Sequence, residues 1–233
     1  MPRPALVAKD PPAALSPREA ERRTKILKAA RDLVAEIGFR DAQMTVVAER
    51  AEVALGTLYR YFPSKAKLMV EVVALVSQRE LDVAAAFAAQ EGRASERLAA
   101  CTWAFASRAI RGRRMAHALL VEAVEPEIET ERRKYARKLA RVLEGVIERG
   151  IRAKEFPPQN VPSAAACIVG SLVEGLIGSL ALESRAEQRL EQACAIVSFC
   201  VRGVSGKDHV FVPPSEDDDI RVRPMRPARS GKR

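Results

Sequence analysis

The sequence predicts an all-α protein, and three observations lead to that fold class. Ala, Leu, Val, Arg and Glu dominate the 233 residues, whereas aromatic residues make up only 5%. Apolar residues recur at helical spacing from Glu19 to Val204. Gly38, Gly92 and Pro126 interrupt this spacing where one helix would give way to the next. With 48% apolar residues, the chain is long enough for one or two domains with a real core.

The N-terminal residues divide into an arm and a first helix. Residues 1–18 are rich in Pro and Ala, and we expect a disordered arm there. A helix is predicted from about Glu19 to Ile37, and Gly38 is expected to end it in a left-handed conformation. The predicted inner face of this helix comprises Ile26, Ala29, Ala30, Leu33, Val34 and Ile37.

Two short helices around a tight turn are predicted next. The first runs from about Met44 to Ala51, and the second from about Leu55 to Phe62, with Glu52, Val53 and Ala54 between them. Ser64 is a good N-cap for the long helix that follows. This arrangement is typical of a helix-turn-helix, whose second helix enters the major groove of DNA. The sequence therefore predicts a three-helix DNA-binding domain over residues 19–64.

The side chains of the second short helix suit DNA. Arg60 can donate two parallel hydrogen bonds to guanine, and Thr57 can contact a thymine methyl group or a phosphate. Tyr59 and Tyr61 can donate their hydroxyls to phosphates. Each residue alone is as readily explained by surface or packing roles. Their joint arrangement is what favours a nucleic-acid interface.

Three further residues complete the expected interface. Lys65 opens the next helix, where exposed N–H groups also favour an anion. Gly56 would let the backbone come close to the phosphate strand, and Thr45 could bond a phosphate from the preceding helix. The segment 18–67 carries a modest basic excess, which suits a phosphate-facing surface.

The remainder of the chain is expected to form a second helical domain over residues 65–204, followed by a disordered tail over 205–233. The predicted helices are Lys65–Gln90, Ala94–Arg111, Arg113–Ala123, Pro126–Ala153, Pro162–Leu182 and Ala186–Val204. The segment from residue 161 to 182 is long enough to span a bilayer. However, Glu174 lies near its centre, so a buried helix is the better interpretation.

Composition argues against several classes of function. The four cysteines lack C-x-x-C spacing and only two histidines exist, so we expect buried thiols, no metal site and no cofactor. No Ser/His/Asp set or phosphate-binding glycine loop is present, so we expect no enzyme activity. The N-terminus lacks the apolar core of an export signal, which favours a cytoplasmic protein.

The segment GTLYRYFPSK, residues 56–65, closely resembles the recognition-helix signature of the TetR family of bacterial transcriptional regulators. The resemblance implies a repressor that binds an inverted-repeat operator as a homodimer, through its last two helices, and is released by a small hydrophobic effector. An activator or a ligand-independent DNA-binding protein is the alternative. The positions matching the family's DNA contacts are Thr45, Gly56, Thr57, Tyr59, Arg60, Tyr61 and Lys65.

Three residues depart from the family's pattern. Gln43 stands where a Thr or Ser usually caps the helix, Glu52 where the turn usually has Gly, and Ala54 where Ser or Thr is usual. A Glu in the left-handed region would carry strain. This variant is most similar to KstR-type regulators of sterol and lipid breakdown, which points to a lipid-derived effector, with an acyl-CoA as one candidate.

The sequence gives less information about the effector site than about the DNA-binding domain. The candidate lining residues are Phe87, Trp103, Phe105, Met115, His117, Leu119 and Glu174. Among these, His117 and Glu174 are the polar groups expected to orient a ligand in an apolar cavity. For each candidate other than Glu174, taken alone, an ordinary helix-bundle core is the better explanation. The basic run on the helix from Pro126 is explained by a solvated surface, or by a patch for an anionic effector.

Overall fold

The computed structural model describes residues 16–180, 185–207, 209 and 212–213, and these ranges contain nine α-helices and no strand. The all-α fold class is therefore confirmed. The expected disordered arm as far as residue 15, and nearly all of the expected tail, lie outside the described residues. The helices are α1 Pro17–Asp41, α2 Met44–Arg50, α3 Leu55–Tyr61, α4 Lys65–Ala89, α5 Ala94–Arg111, α6 Arg113–Leu120, α7 Pro126–Arg152, α8 Val161–Leu180 and α9 Ala186–Ser205.

Helix α1 begins two residues earlier than predicted. Pro17 occupies its first turn and Ser16 caps it, with the Ser16 amide donating to Glu19 Oε2 at 3.0 Å. Five of the six residues predicted for its inner face are buried. The prediction for Ile37 was wrong: its side chain is 46% exposed, because Phe39 folds back and takes the buried place at this end of the core.

Gly38 interrupts α1, as predicted, although one further turn reaches Asp41. Its φ of 85° and ψ of 175° lie in a region that is essentially reserved for glycine. The carboxylate of Glu122 lies where a side chain on Gly38 would be: an added Cβ would stand 2.1 Å from Glu122 Oε1. The break in α1 therefore depends on this glycine for two separate reasons.

The turn between α2 and α3 has the geometry that usually calls for glycine. The Glu52 amide donates to the carbonyl of Glu49 at 2.9 Å, and the Val53 amide to that of Ala48 at 3.0 Å, which is a Schellman motif. Glu52 has a φ of 52°, so the expected strain is present and amounts to about 1–2 kcal/mol.

The N-cap residues of the three helices differ in whether their side chains form a cap. Gln43 and Ala54, which depart from the family's usual Thr or Ser, make no side-chain cap. By contrast, the Ser64 hydroxyl accepts from the amide of Lys67 at 3.2 Å and caps α4 as predicted.

Two apolar cores follow one another along the chain. The N-terminal core joins α1, α2, α3 and the first turns of α4, from Ile26 to Val73, and it also contains Ala118 and Ile128. The C-terminal core joins α4, α5, α7, α8 and α9. The N-terminal core therefore extends across residue 64, where we placed the domain boundary, and α6 supplies part of it.

The cysteines are mostly buried, with one exception. Burial raises the pKa of the Cys101 and Cys200 thiols to about 12. Cys167, expected to be buried, is exposed on α8. Within the described ranges no three His, Cys, Asp or Glu side chains are grouped as metal ligands would be. None of the described helices has the length and apolar character needed to cross a bilayer.

Candidate functional site

Helix α3 presents one face to solvent and anchors the other in the N-terminal core. Leu58 is fully buried within α3 and Phe62, just after it, is 1% exposed. On the opposite side, Gly56, Tyr59 and Arg60 are exposed, and Thr57 is half-buried. The helix spans only seven residues, so these two apolar anchors set its rotation. Three of the predicted contact residues are thus displayed together.

Gly56 contributes nothing to the packing of the described chain. A Cβ added there would meet no described atom within 4 Å. Thr45, on α2, is likewise exposed. Both positions leave the protein's surface open to a close partner.

Tyr61 is placed differently from the prediction. Its ring packs partly against the N-terminal core, and its hydroxyl is buried with no hydrogen-bond partner among the described residues. The Arg60 guanidinium carbon lies 5.4 Å from the centre of the Tyr61 ring. The buried position of the hydroxyl gives no support to a phosphate contact from Tyr61, and that contact stays a prediction. The Tyr61 ring supports Arg60.

Lys65 is half-buried and already has a partner within the chain. Its Nζ donates to the carbonyl oxygen of Arg40 at 2.8 Å, which ties the start of α4 to the end of α1. An ammonium group has three N–H donors, so Lys65 could bond a phosphate while it keeps this carbonyl. The predicted role of Lys65 as a phosphate contact remains a prediction, and a structural role is now evident beside it.

The start of α1 lies beside α3. The pKa of the Glu19 carboxyl is lowered, mainly by its hydrogen bonds from Ser16, and the charges of Arg60 and Arg22 act in the same direction. Arg22 is exposed, whereas Arg23 pairs with Glu71 and stacks 5.1 Å from the centre of the Phe62 ring. Arg22 and Arg60 are therefore neighbouring cations on one surface, and Arg23 braces α1 against α4.

A cavity of about 180 Å³ lies between α4, α5, α6, α7 and α8. Three of the predicted lining residues, Phe105, Met115 and Leu119, are on its wall. Its other lining residues are Val76, Ser77, Glu80, Leu81, Arg108, Ala109, Gly112, Ala116, Leu120, Arg132, Tyr135, Ala136, Leu139, Val169 and Val173. The described wall is predominantly apolar, as ligand cavities usually are.

Four predicted lining residues lie elsewhere. Phe87 and Trp103 pack in the C-terminal core, since their positions on α4 and α5 face other helices. His117 is about one-third exposed, with Nδ1 3.9 Å from Glu122 Oε1. Glu174 is exposed on α8, because the helix turns this position away from the core. The polar and charged residues on the described cavity wall are instead Ser77, Glu80, Arg108, Arg132 and Tyr135.

A sequence signal for this part of the cavity did exist. Arg132, Tyr135, Ala136 and Leu139 recur at helical spacing on α7 and all face the cavity. Arg132 also falls within a run of basic residues, and such a run is usually a solvated surface. The run therefore hides the helical spacing that places Arg132 on the same side of α7 as Tyr135, Ala136 and Leu139.

The outer face of α8 and α9 is unusually apolar for a charged protein. Phe199 is 57% exposed, and Ala166, Cys167 and Gly170 are exposed on α8. An added Cβ at Gly170 or Gly203 would meet nothing described within 4 Å. Gly175 differs, because a Cβ there would lie 2.9 Å from Ile196 Cδ1, so it allows α9 to approach α8 within one chain.

The chain matches family models in both halves. Residues 26–72 match the model for bacterial regulatory proteins of the tetR family, and residues 91–175 match the tetracyclin repressor-like C-terminal domain. The chain is 51% identical over 61 residues to the HTH-type transcriptional repressor KstR of Rhodococcus jostii. That match covers 26% of this chain and only 29% of the relative.

Solved structures agree with this assignment at the level of the fold. The regulator FadR from Bacillus subtilis, in complex with stearoyl-CoA, superposes with a TM-score of 0.68 and 20% identity, over 78% of this chain and 98% of that one. RolR, in complex with resorcinol, gives 0.61 and 18% identity over 79% and 88%. With both of its halves matched by the family's models, the protein belongs to the TetR family of bacterial regulatory proteins.

Proposed function

We propose that this protein is a transcriptional repressor that binds an inverted-repeat operator as a homodimer and is released by a small, largely apolar effector. The observation that carries the proposal is the display of Gly56, Tyr59 and Arg60 on a short helix fixed by Leu58 and Phe62. The exposed face presents a guanidinium, a phenol and an open backbone, which suit the major groove. The similarity to the KstR repressor of Rhodococcus jostii agrees with this proposal.

The homodimer is supported by the outer face of α8 and α9. Exposed Phe199 with small residues around it is the composition of a face that another helix pair can cover. Two-fold pairing through this face would place the two α3 helices on successive major grooves, about 34–36 Å apart or a multiple of that spacing. The expected operator is therefore palindromic double-stranded DNA.

The cavity favours a ligand-responsive regulator over the ligand-independent alternative. Its apolar wall is formed partly by Met115 and Leu119, which also pack against the N-terminal core. A ligand that touches these residues contacts the same side chains that support the DNA-binding half. Binding energy there can consequently differ between two positions of α3, which is the requirement for an effector.

Arg60→Ala is expected to weaken binding to the operator about fivefold to a hundredfold, because one bidentate base contact is worth about 1–3 kcal/mol. Footprinting of the DNA beside the protein's own gene would first locate the operator, and fluorescence anisotropy would then give the affinities. Binding to unrelated DNA should fall much less, so that discrimination is lost.

Arg141→Ala is the matched control for Arg60→Ala, since it removes the same charge from an exposed position on α7. We expect it to bind the operator as the unchanged protein does. Unaltered discrimination in Arg60→Ala would disprove the base contact, and a footprint no stronger than non-specific background would disprove the repressor function.

Gly56→Ala is expected to stabilise the protein and to weaken its binding to DNA. Alanine is favoured over glycine within a helix by roughly 1 kcal/mol, and the added methyl group meets no described atom within 4 Å. On a DNA-bound surface the same methyl group would stand between the backbone and the phosphates. Urea unfolding and anisotropy would be measured on one preparation, and unchanged operator affinity would remove Gly56 from the interface.

A further inference from the structure

Arg132 is a largely buried cation in the wall of the cavity. Its side chain is 14% exposed. Nη1 donates to the carbonyl oxygen of Glu122 at 3.0 Å, and Nη2 donates to that of Ala118 at 2.6 Å. The Glu129 carboxylate stands 3.7 Å from Nη1, and Nε is buried without a hydrogen-bond partner among the described residues. The guanidinium thus binds mainly to main-chain carbonyls.

The other arginine on the cavity wall has a different environment. Arg108 forms two hydrogen bonds with the Glu80 carboxylate, from Nε at 2.5 Å and from Nη2 at 2.7 Å, so the pair is neutral overall. For Arg132, burial is the main influence and lowers the pKa of the guanidinium, whereas Glu129 and Glu122 oppose it only in part. The described wall therefore carries one cation whose charge is incompletely balanced.

The carbonyls that Arg132 binds belong to a segment shared by the two halves of the protein. Ala118 is fully buried in the N-terminal core, although α6 also lines the cavity. The Glu122 side chain reaches α1, where its Oε2 accepts from the amides of Phe39 at 2.9 Å and Arg40 at 3.3 Å. Arg40 in turn accepts the hydrogen bond from Lys65.

A continuous set of hydrogen bonds thus runs from the cavity to the DNA-binding half. Arg132 holds the end of α6, Glu122 holds the end of α1 from there, and Lys65 joins that end to the start of α4, next to α3. Arg132, Glu122 and Lys65 each form at least one hydrogen bond to the next part of the path. A ligand that draws the Arg132 guanidinium toward itself would weaken the first contacts in this path.

We propose that the effector carries an anionic head group on a compact apolar body, that the head group pairs with Arg132, and that Arg132 then gives up the carbonyls of Ala118 and Glu122. This inference rests on the proposed function. A ligand shifts a conformational equilibrium only if it binds one conformation more tightly than the other. Binding that requires Arg132 to leave the two carbonyls would create such a difference in affinity. Loss of the two carbonyl contacts would loosen the end of α6 and, through Glu122, the end of α1.

The size of the cavity limits the apolar body of the ligand. An engineered apolar cavity of about 150 Å³ holds benzene. The cavity here, at about 180 Å³, therefore suits a ring or a short chain with an acidic group. Small carboxylic acids fit this description, and a long-chain acyl thioester would exceed it unless the helices separate.

Isothermal titration calorimetry with two matched pairs of probes tests the head group. The pairs are phenylacetate with phenylacetamide, and hexanoate with hexanol. We expect at least one acid to bind about tenfold or more tightly than its neutral counterpart, since hydrogen bonds to a charged group are the stronger kind. Equal affinities within both pairs, or no detectable binding of either acid, would overturn the proposal.

Three variants assign the preference to Arg132. Arg132→Gln should abolish the preference for the acid, while Arg132→Lys should retain part of it because the charge remains. Arg133→Gln is the matched control, since Arg133 is the next residue, 71% exposed, and faces away from the cavity. Circular dichroism would establish that each variant is folded. A preference that survives in folded Arg132→Gln would place the head group elsewhere and overturn the assignment.

Failure of this inference can be separated from failure of the proposed function. Operator binding by the ligand-free protein tests the repressor alone. A protein that binds its operator but does not distinguish acid from amide contradicts the inference only. Conversely, a preference for the acid in a protein without a specific operator would contradict the repressor function and leave the cavity chemistry standing.

Discussion

Gly38→Ala is expected to lower the free energy of unfolding by about 3 kcal/mol, because backbone strain and lost charge-assisted hydrogen bonds add together. The φ of 85° and ψ of 175° at Gly38 are costly for any residue with a side chain. In addition, the new Cβ would occupy the place of Glu122 Oε1 and displace the carboxylate from the amides of Phe39 and Arg40. Urea unfolding followed by circular dichroism would measure the loss.

Gly145→Ala provides the control for this prediction. Gly145 lies within α7, and the only neighbour of its added Cβ among the described atoms is Arg149 Nη1, at an ordinary distance of 3.8 Å. Helix propensity predicts a gain of up to about 1 kcal/mol there. If Gly38→Ala were as stable as the unchanged protein, the end of α1 would not depend on its hydrogen bonds to Glu122. The path from Arg132 to Lys65 would then lack its middle contact.

Phe199→Glu is expected to separate the proposed homodimer into monomers. Two-fold symmetry brings each residue of the α8 and α9 face against the same face of the partner, so the substitution introduces two carboxylates into one apolar interface. Buried charges without partners cost several kcal/mol, which predicts a dissociation constant raised about a hundredfold or more. Sedimentation equilibrium would give this constant directly.

The same variant should also lose operator binding, although α3 is untouched. A monomer can occupy only one half-site, so its contacts are roughly halved. Leu75→Glu is the control, because Leu75 is 42% exposed on α4, away from the α8 and α9 face, and should leave the dimer intact. A dimeric Phe199→Glu protein would show that the chains pair through another surface.

The DNA-binding half could be predicted in detail because its signals are local. Ser64 caps α4, Gly38 breaks α1, and Glu52 takes the left-handed conformation that the Schellman turn demands. Each of these depends on residues within a few positions along the chain. The inward hydroxyl of Tyr61 could not be predicted in the same way, because it depends on how far α3 rotates into the core.

The cavity could be predicted only in part because its wall is assembled from five helices. Phe105, Met115 and Leu119 lie on it, whereas Trp103 and Glu174 do not, and sequence pattern alone does not distinguish these outcomes. Which residues of α5 and α8 line the cavity depends on how each helix is rotated about its own axis. The burial of Arg132 could not be predicted for a further reason. Its hydrogen bonds go to the main-chain carbonyls of Ala118 in α6 and of Glu122 just after α6, and neither contact follows from the sequence pattern of α7.

The position of Ala118 and Ile128 within the N-terminal core affects how the protein melts. Both side chains are at most 1% exposed, and they close a core whose other members come from α1 to α4. A fragment ending at residue 64 would lack them, together with Leu68, Met69, Val72 and Val73. We therefore expect the two functional halves to unfold as one cooperative unit, so that a ligand stabilising the cavity would also raise the melting temperature of the helices that would hold DNA.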